Sequence, residues 1–278
     1  MDTVRSVLAA SRLPRLETQM FLTHVLGVPR AWLIAHDTDP LGAEAMERFH
    51  ALCERRLAGE PMAYLLGERE FMGHGFQVVP GVLIPRPETE LLVETAIHHV
   101  MALGKPGVRV LDLGTGSGAV AVSVALACPG AEVIATDLSV EALDVARGNA
   151  RRLGARVRFM QGSWYDAVSG EAAVDVIVSN PPYIAANDPH LSQGDLRYEP
   201  STALTDGGDG LGALRAIVSG APARLNPGGV LWVEHGWDQA VDVRGMLGRA
   251  GFSEVASKRD LAGIERISGG SYNIHRST

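Results

Sequence analysis

From residue 108 onward, short apolar runs alternate with longer amphipathic ones, and this alternation narrows the possible folds more than any other feature of the chain. Residues 108–113, 132–137, 157–161, 174–179 and 229–234 are short stretches rich in Val, Ile and Leu. Between them, 119–127, 141–153, 211–223 and 239–250 have the length and spacing of helices. Strands separated by helices pair in parallel through right-handed crossovers, with helices covering both faces of the sheet. The expectation is therefore a doubly wound, mostly parallel α/β sheet of the Rossmann-like kind. Two further runs, 254–258 and 265–268, have little between them; they are expected to close one edge as an antiparallel pair, for seven strands in all.

The part before this sheet reads differently. Up to about Arg69 the spacing is helical: Leu16, Met20, Val25 and Leu26 recur on one stripe, and Met46, Phe49, Leu52, Arg56 and Leu57 on another. Gly27-Val28-Pro29 and Asp39-Pro40 punctuate these runs. The stretch FMGHGFQVVPGVLIPRPETE mixes glycines, prolines and short β-branched segments and suits a hairpin-like linker. The expected division is a small helical bundle over 1–70, a linker over 71–90, and the α/β domain over 91–278.

A chain of 278 residues has room for one large core and a small partner domain. Its 46% hydrophobic and 21% charged residues are those of an ordinary soluble globular protein. The net charge of −7 gives no global attraction to a phosphate backbone. Cys53 and Cys128 lie far apart without metal-ligand spacing; reduced core thiols, a cytoplasmic location and no metal site are expected. The N-terminal MDTVRSVLAASRLPRLE carries charges throughout and reads as neither a signal peptide nor a membrane span.

VLDLGTGSGAV runs from a strand through a glycine-rich turn into a helix. Gly114, Gly116 and Gly118 let backbone approach a ligand, and the helix start offers amides to an anion. The turn also fits a dinucleotide loop. Asp112 separates the two cofactors: a carboxylate there would oppose a pyrophosphate but suit the ammonium and sulfonium of S-adenosylmethionine. A simple cap of the turn is its other reading. Asp137, at the end of the second strand, is placed to accept from both ribose hydroxyls, or to cap the next helix as Ser139 can. Trp164, after the third strand, either stacks at the adenine end of the cleft or packs in the core.

The fourth strand runs into VSNPPYI. Two prolines stiffen the backbone and remove amide donors, leaving carbonyls to face the cleft. Asn180 adds a side-chain acceptor and Tyr183 a flat aromatic wall. A planar amide-like nitrogen is a poor nucleophile because its lone pair is delocalised. The Asn180 oxygen and the Pro181 carbonyl can hold its two N–H groups, point the lone pair at a methyl sulfonium and stabilise the developing positive charge. The expected chemistry is in-line methyl transfer with late proton loss.

With these residues in view, the chain resembles the release-factor glutamine methyltransferases, the protein-(glutamine-N5) or HemK-like family. The likeness rests on FMGHGFQVVPGVLIPRPETELLVE, VLDLGTGSGA, VSNPPYI with RYEPSTAL, and LWVEHGWDQ with RDLAGIER. It implies a class I methyltransferase sheet and S-adenosylmethionine as donor, with S-adenosylhomocysteine as product. Cofactor contacts are implied for Gly114, Thr115, Gly116, Ser117, Gly118, Asp137, Trp164 and Asn180. Substrate contacts are implied for Asn180, Pro181, Pro182 and Tyr183, with Asn180, Pro181 and Tyr183 taking part in catalysis. The substrate would be the Gly-Gly-Gln loop of class I peptide-chain release factors, recognised partly through the N-terminal helices. Arg86 and Glu88 fall either near the cleft or in a salt-bridged hinge. The nearest alternative is an N6-adenine or N2-guanine nucleic-acid methyltransferase, which faces the same nitrogen problem. Its phosphate grip would have to come from Arg151, Arg152, Arg156 and Arg158, with Arg147 nearby, a group that also reads as a solvated face. Neither a membrane nor a nucleic acid is an expected partner.

Overall fold

A computed structural model describes residues 2–273 and divides the chain into two compact units, Met1–Glu68 and Arg69–Thr278. The first is helical: α1 (Val4–Ala10), α2 (Arg15–Leu26), α3 (Arg30–Ala35), α4 (Ala43–Leu57) and α5 (Met62–Leu66). Thr3 opens α1 with a reciprocal capping box to Ser6. Val4, Phe21, Leu22, Leu33, Met46 and Phe49 form this unit's core. The inward stripe of α2 differs from the expected one. Leu16 and Met20 are 58% and 38% exposed, while Thr18, Phe21, Leu22 and Val25 face in. Thr18 can be buried because its hydroxyl donates to Ser11 Oγ at 2.8 Å, so a polar residue occupies an inward position and hides the periodicity. Leu57, at the end of α4, is likewise exposed.

The second unit opens with a hairpin, β1 (Glu68–Phe71) and β2 (His74–Gln77), beginning three residues before the expected linker. Its two-residue turn, Met72-Gly73, has positive φ at both positions (52° and 76°), the twist that matches a hairpin. Glu90 holds the turn by accepting from the Met72 N–H at 2.9 Å. A 3-10 turn, Pro87–Thr89, then leads into α6 (Glu90–Leu103). This helix escapes a periodicity reading because its apolar residues are spread around much of its circumference, and Leu92, Val93, Thr95, Ala96 and Val100 are all buried.

The main sheet has seven strands: β3 (Arg109–Leu113), β4 (Glu132–Asp137), β5 (Val157–Gln161), β6 (Val174–Ser179), β7 (Leu225–Glu234), β8 (Phe252–Arg259) and β9 (Glu265–Tyr272). Their order is β5-β4-β3-β6-β7-β9-β8. β9 lies antiparallel between β7 and β8, so the last two strands do close the edge as an antiparallel pair. Both are longer than expected, and β7 begins four residues earlier. The helices between are α7 (Ala119–Ala127), α8 (Val140–Leu153), a short α9 (Ser201–Leu204), α10 (Gly212–Gly220) and α11 (Ala240–Arg249). α10 stops short of the expected 223 and passes into a 3-10 turn at Ala221–Ala223, where Pro222 has no N–H to continue the ladder.

The layers follow from burial. Leu92, Val93, Val120, Val122 and Val124 cover one face of the sheet; Leu214, Ile217, Val243 and Leu247 cover the other. Each such side chain contributes about 1.5–3 kcal/mol on burial. Close approach of α7 to α8 requires Gly118: a Cβ there would lie 3.0 Å from that of Ala146, and φ is +83°. Cys53 and Cys128 are free thiols, and burial pushes Cys53 up to about 11. Among the described residues no helix is long and apolar enough to cross a membrane, and no cluster of metal-ligating side chains occurs.

Candidate functional site

Strand register builds the site. Leu113 of β3 pairs with Thr136 of β4 on one side and with Ser179 of β6 on the other. Ser179 in turn pairs with Val233 of β7. The next residue of each strand or loop therefore leaves the sheet in one row: Asp137, Gly114, Asn180 and Glu234, with neighbouring strands about 4.8 Å apart. This row lies at the carboxyl ends of the parallel strands, on both sides of the point where strand order reverses between β3 and β6. Doubly wound sheets open their ligand crevice there.

The glycine loop is braced from within. Asp137 accepts from the Gly116 N–H through Oδ2 and from the Ser139 N–H through Oδ1, both at 2.9 Å. The Gly114 and Thr115 amides both donate to the Thr136 carbonyl, and Gly118 to that of Thr115. These amides consequently turn inward and are engaged within the loop. Asp112 is 1% exposed and accepts from the Thr115 hydroxyl at 2.7 Å and the Ala121 N–H at 3.2 Å, so it caps the turn and α7. Burial pushes its carboxyl up to about 7. Ser117 is buried, and its carbonyl accepts from Asn149. Trp164, at an unusual φ of 42°, lays its ring against Gly114 and against the core beneath α10 and α11. Trp164 thus packs against the core and borders the glycine loop. Asp137 is half-buried and keeps lone pairs beyond its two backbone bonds.

Asn180 to Tyr183 are fixed from three sides. Asn180 Nδ2 donates to Thr89 Oγ1 at 3.0 Å. The Tyr183 hydroxyl donates to Glu234 Oε1 at 3.2 Å, and the Tyr183 carbonyl accepts from Gln239 Nε2 at 2.9 Å. Gly210, at φ +79°, abuts the same carbonyl so closely that any side chain there would overlap it. Gly210 belongs to a loop gathered by Asp206, which accepts from the amides of Gly208, Gly210 and Gly212. Among the described residues, neither Asn180 Oδ1 nor the Pro181 carbonyl accepts a hydrogen bond. Burial and the adjacent Glu234 carboxyl hold the Tyr183 hydroxyl well above its ordinary range, so it stays a donor.

A cavity of about 60 Å³ opens beside these residues, lined by Leu83, Arg86, Asn180, Pro181, Tyr183 and Leu196 among others. Arg86 both borders it and forms an ion pair with Glu199, whose side chain is fully buried. The other Glu199 oxygen accepts from the Ile84 N–H at 3.0 Å. Burial raises Glu199 above the usual carboxylate range against the opposing pull of Arg86. The cleft and hinge readings of Arg86 are therefore one arrangement; Glu88 is exposed. Arg86→Ala should destabilise the fold by about 2–4 kcal/mol at pH 8 by stranding the buried charge. That deficit should shrink toward pH 5 as Glu199 takes up a proton; a melting-temperature deficit that stays constant with pH would contradict this pairing.

Thr89, Glu199, Gly210, Glu234 and Gln239 carry no role in the sequence reading, although all but Gly210 fall inside the four quoted stretches. Only the fold shows what they touch. A larger groove of about 640 Å³, lined by Arg147, Arg151, Arg156 and Arg158, lies at the opposite, amino-terminal ends of β4 and β5. Glu132, at its rim, is five residues before Asp137 along β4, roughly 16 Å at the usual rise.

A doubly wound sheet with this strand order, a glycine loop after its first strand and Asn-Pro-Pro-Tyr after its fourth define a class I S-adenosylmethionine-dependent methyltransferase. Residues 2–67 match the PrmC N-terminal domain and 87–240 the methyltransferase small domain. The chain is 63% identical to the release factor glutamine methyltransferase of Bordetella pertussis, covering 97% of this chain and 99% of that one. It is 54% identical to the Burkholderia pseudomallei protein of the same name, over 96% of this chain and 95% of that one. The chain belongs to the release factor glutamine methyltransferase family. Among solved structures, the T. thermophilus 16S rRNA N2 methyltransferase in complex with AdoMet and guanosine superposes with a TM-score of 0.56 at 23% identity, covering 74% of this chain and 50% of that one. A Pyrococcus furiosus methyltransferase gives 0.54 at 22% identity, over 80% and 98%. These two share the fold.

Proposed function

We propose that this chain methylates the side-chain amide nitrogen of the glutamine in the Gly-Gly-Gln loop of class I release factors. The observation that carries the reading is the pair of unengaged acceptors, Asn180 Oδ1 and the Pro181 carbonyl, on adjacent residues of a braced loop. An amide –NH₂ has two N–H groups and a delocalised lone pair, and two fixed acceptors can grip both hydrogens. Pro182 keeps the loop free of a competing donor, and the Tyr183 ring, locked at hydroxyl and carbonyl, walls the amide plane. The cavity bordered by Leu83 and Arg86 would take the glutamine side chain.

S-adenosylmethionine suits the other half of the row and, when bound, supplies an electrophilic methyl group on a sulfonium. Asp137 retains lone pairs for two ribose hydroxyls. Gly114 to Gly118, with Thr115 and Ser117 turned inward, offer a floor without side chains, and the amides at 117, 119 and 120 are the ones left for a carboxylate. Trp164 would border the cofactor through its contact with Gly114. S-adenosylhomocysteine would be the product. As positive charge develops on the substrate nitrogen, the two acceptors stabilise it, and the proton then leaves to water.

The basic groove lies at the far ends of the strands and cannot grip phosphates flanking a base in the cleft, which disfavours a nucleic-acid substrate. Mass spectrometry of purified release factors incubated with enzyme and donor tests the reading: one methyl on the Gly-Gly-Gln glutamine is expected, and modification of RNA or DNA alone would overturn it.

Glycines flanking the target offer no side chains, so specificity has to come from remote contacts. The helical unit Met1–Glu68 is the natural source of such contacts, and a cytoplasmic setting follows from the substrate. Deleting residues 1–67 should leave donor binding intact. It should reduce kcat/KM roughly tenfold more for intact release factor than for a Gly-Gly-Gln peptide. Equal losses on the two substrates would show that the helices serve folding alone.

A further inference from the structure

We infer that Thr89, bonded to Asn180 and lying by the buried Glu234 carboxyl, sets which end of the Asn180 carboxamide faces the substrate nitrogen and is a positioning residue for methyl transfer. The inference rests on the amide-methylating reading of the site and deepens it.

A carboxamide has an acceptor end and a donor end of nearly equal shape, and only its partners decide which points where. In this site the wrong choice would be fatal to the chemistry: an –NH₂ group facing the substrate N–H groups would repel them. Asn180 Nδ2 donates to Thr89 Oγ1, which leaves Oδ1 for the substrate. Thr89 by itself could not enforce this, since a hydroxyl can donate as well as accept.

Glu234 removes the ambiguity. It is 1% exposed, at the end of β7 beside Asn180 in the strand row. The Thr89 hydroxyl lies by its carboxyl and favours the ionised form, as does the hydroxyl of Tyr183. Its Oε2 has no hydrogen-bond partner among the described residues, so a buried acceptor stands ready for the one proton Thr89 can give. An ionised carboxylate only accepts. If Thr89 turns its one proton to this carboxylate, it has only lone pairs to offer Asn180, and only the –NH₂ end of Asn180 can answer. The order Asn180 Nδ2 to Thr89 to Glu234 thus has one direction, and Glu234 fixes the Tyr183 ring at the same time. Thr89 is 4% exposed and belongs to the 3-10 turn before α6, so the linker itself delivers this part of the site.

The direction holds while Glu234 is ionised. Burial pushes its carboxyl up to about 7, and Thr89, Tyr183, Glu88 and Arg266 are the groups that act on it. A glutamine amide does not titrate near neutrality, so a rise of kcat with pH through this range reports the protein.

The test uses full-length enzyme, release factor and S-adenosylmethionine, with single-turnover rates from pH 6 to 9. Thr89→Val keeps the shape and removes the hydroxyl; kcat should fall roughly tenfold or more, with little change in KM for either substrate. Thr89→Ser should recover most of that loss. Glu234→Gln should lower kcat at pH 8 and flatten its rise through about pH 7. Wild-type kcat in Thr89→Val, equal losses in the Val and Ser variants, or a pH profile unchanged in Glu234→Gln would each overturn the inference. If Thr89→Val loses its near-UV circular dichroism, the Ser variant and the Glu234→Gln profile decide. Absence of transfer by the unaltered enzyme would defeat the proposed substrate itself, a result distinct from equal activity across the variants.

Discussion

Asn180→Ala should lower kcat by roughly 10²-fold or more while leaving the affinity for S-adenosylmethionine nearly unchanged, the signature of an interaction made chiefly in the transition state. The variant removes one of the two unengaged acceptors and also strands the Thr89 hydroxyl it donates to. Asn180→Asp is the more searching change. It keeps an acceptor toward the substrate but cannot donate to Thr89, and it sets a second carboxylate within reach of the proton that Glu234 attracts. Its activity should also be poor, with a pH dependence unlike that of the Ala variant. Single-turnover rates near wild type for Asn180→Ala would remove the basis of the two-acceptor mechanism.

Asp137→Ala should weaken S-adenosylmethionine binding by about 2–3 kcal/mol, through the loss of charge-assisted hydrogen bonds to the ribose. The structure adds a second contribution, because the same carboxylate holds the Gly116 and Ser139 amides. Asp137→Asn separates the two. It retains one acceptor oxygen and should recover part of the affinity, whereas Ala recovers none. Calorimetry showing unchanged affinity in the Ala variant would mean that Asp137 serves the loop and does not touch the ribose.

The sheet was legible because its signal is local and repeated: runs such as 132–137 and 174–179 coincide with β4 and β6. The carboxyl ends of β3 to β7 were legible too, and with them the positions of Gly114, Asp137 and Asn180, because the ligand side of a parallel sheet follows from its topology. The stripe of α2 was not, since Thr18 faces inward on the strength of hydroxyl hydrogen bonds that no hydrophobicity pattern records. Helix α6 was missed because apolar residues such as Met101 and Leu103 continue onto its exposed side and blur the amphipathic period. Within the site, Asn180 announces itself through its two prolines. Thr89 and Glu234 do not, because each matters through a partner distant in sequence, 91 residues away for the Thr89–Asn180 bond. A threonine in a linker and a glutamate ending a strand are ordinary in isolation.

The bond between Ile84 and Glu199 spans 115 residues, and the braces on Asn180 and Tyr183 reach from Thr89 to Gln239. No contiguous piece shorter than residues 84–239 can therefore contain the whole reactive centre. Contacts of such separation bear a large loop-closure cost, and the full set cannot exist on the ribosome until Gln239 has emerged. An enzyme whose substrate ends protein synthesis thus acquires its own chemistry only after Gln239 has been made. Fragments that stop short of β7 can hold a glycine loop and several strands, yet they lack the two residues, Glu234 and Gln239, that give the Asn-Pro-Pro-Tyr segment its shape.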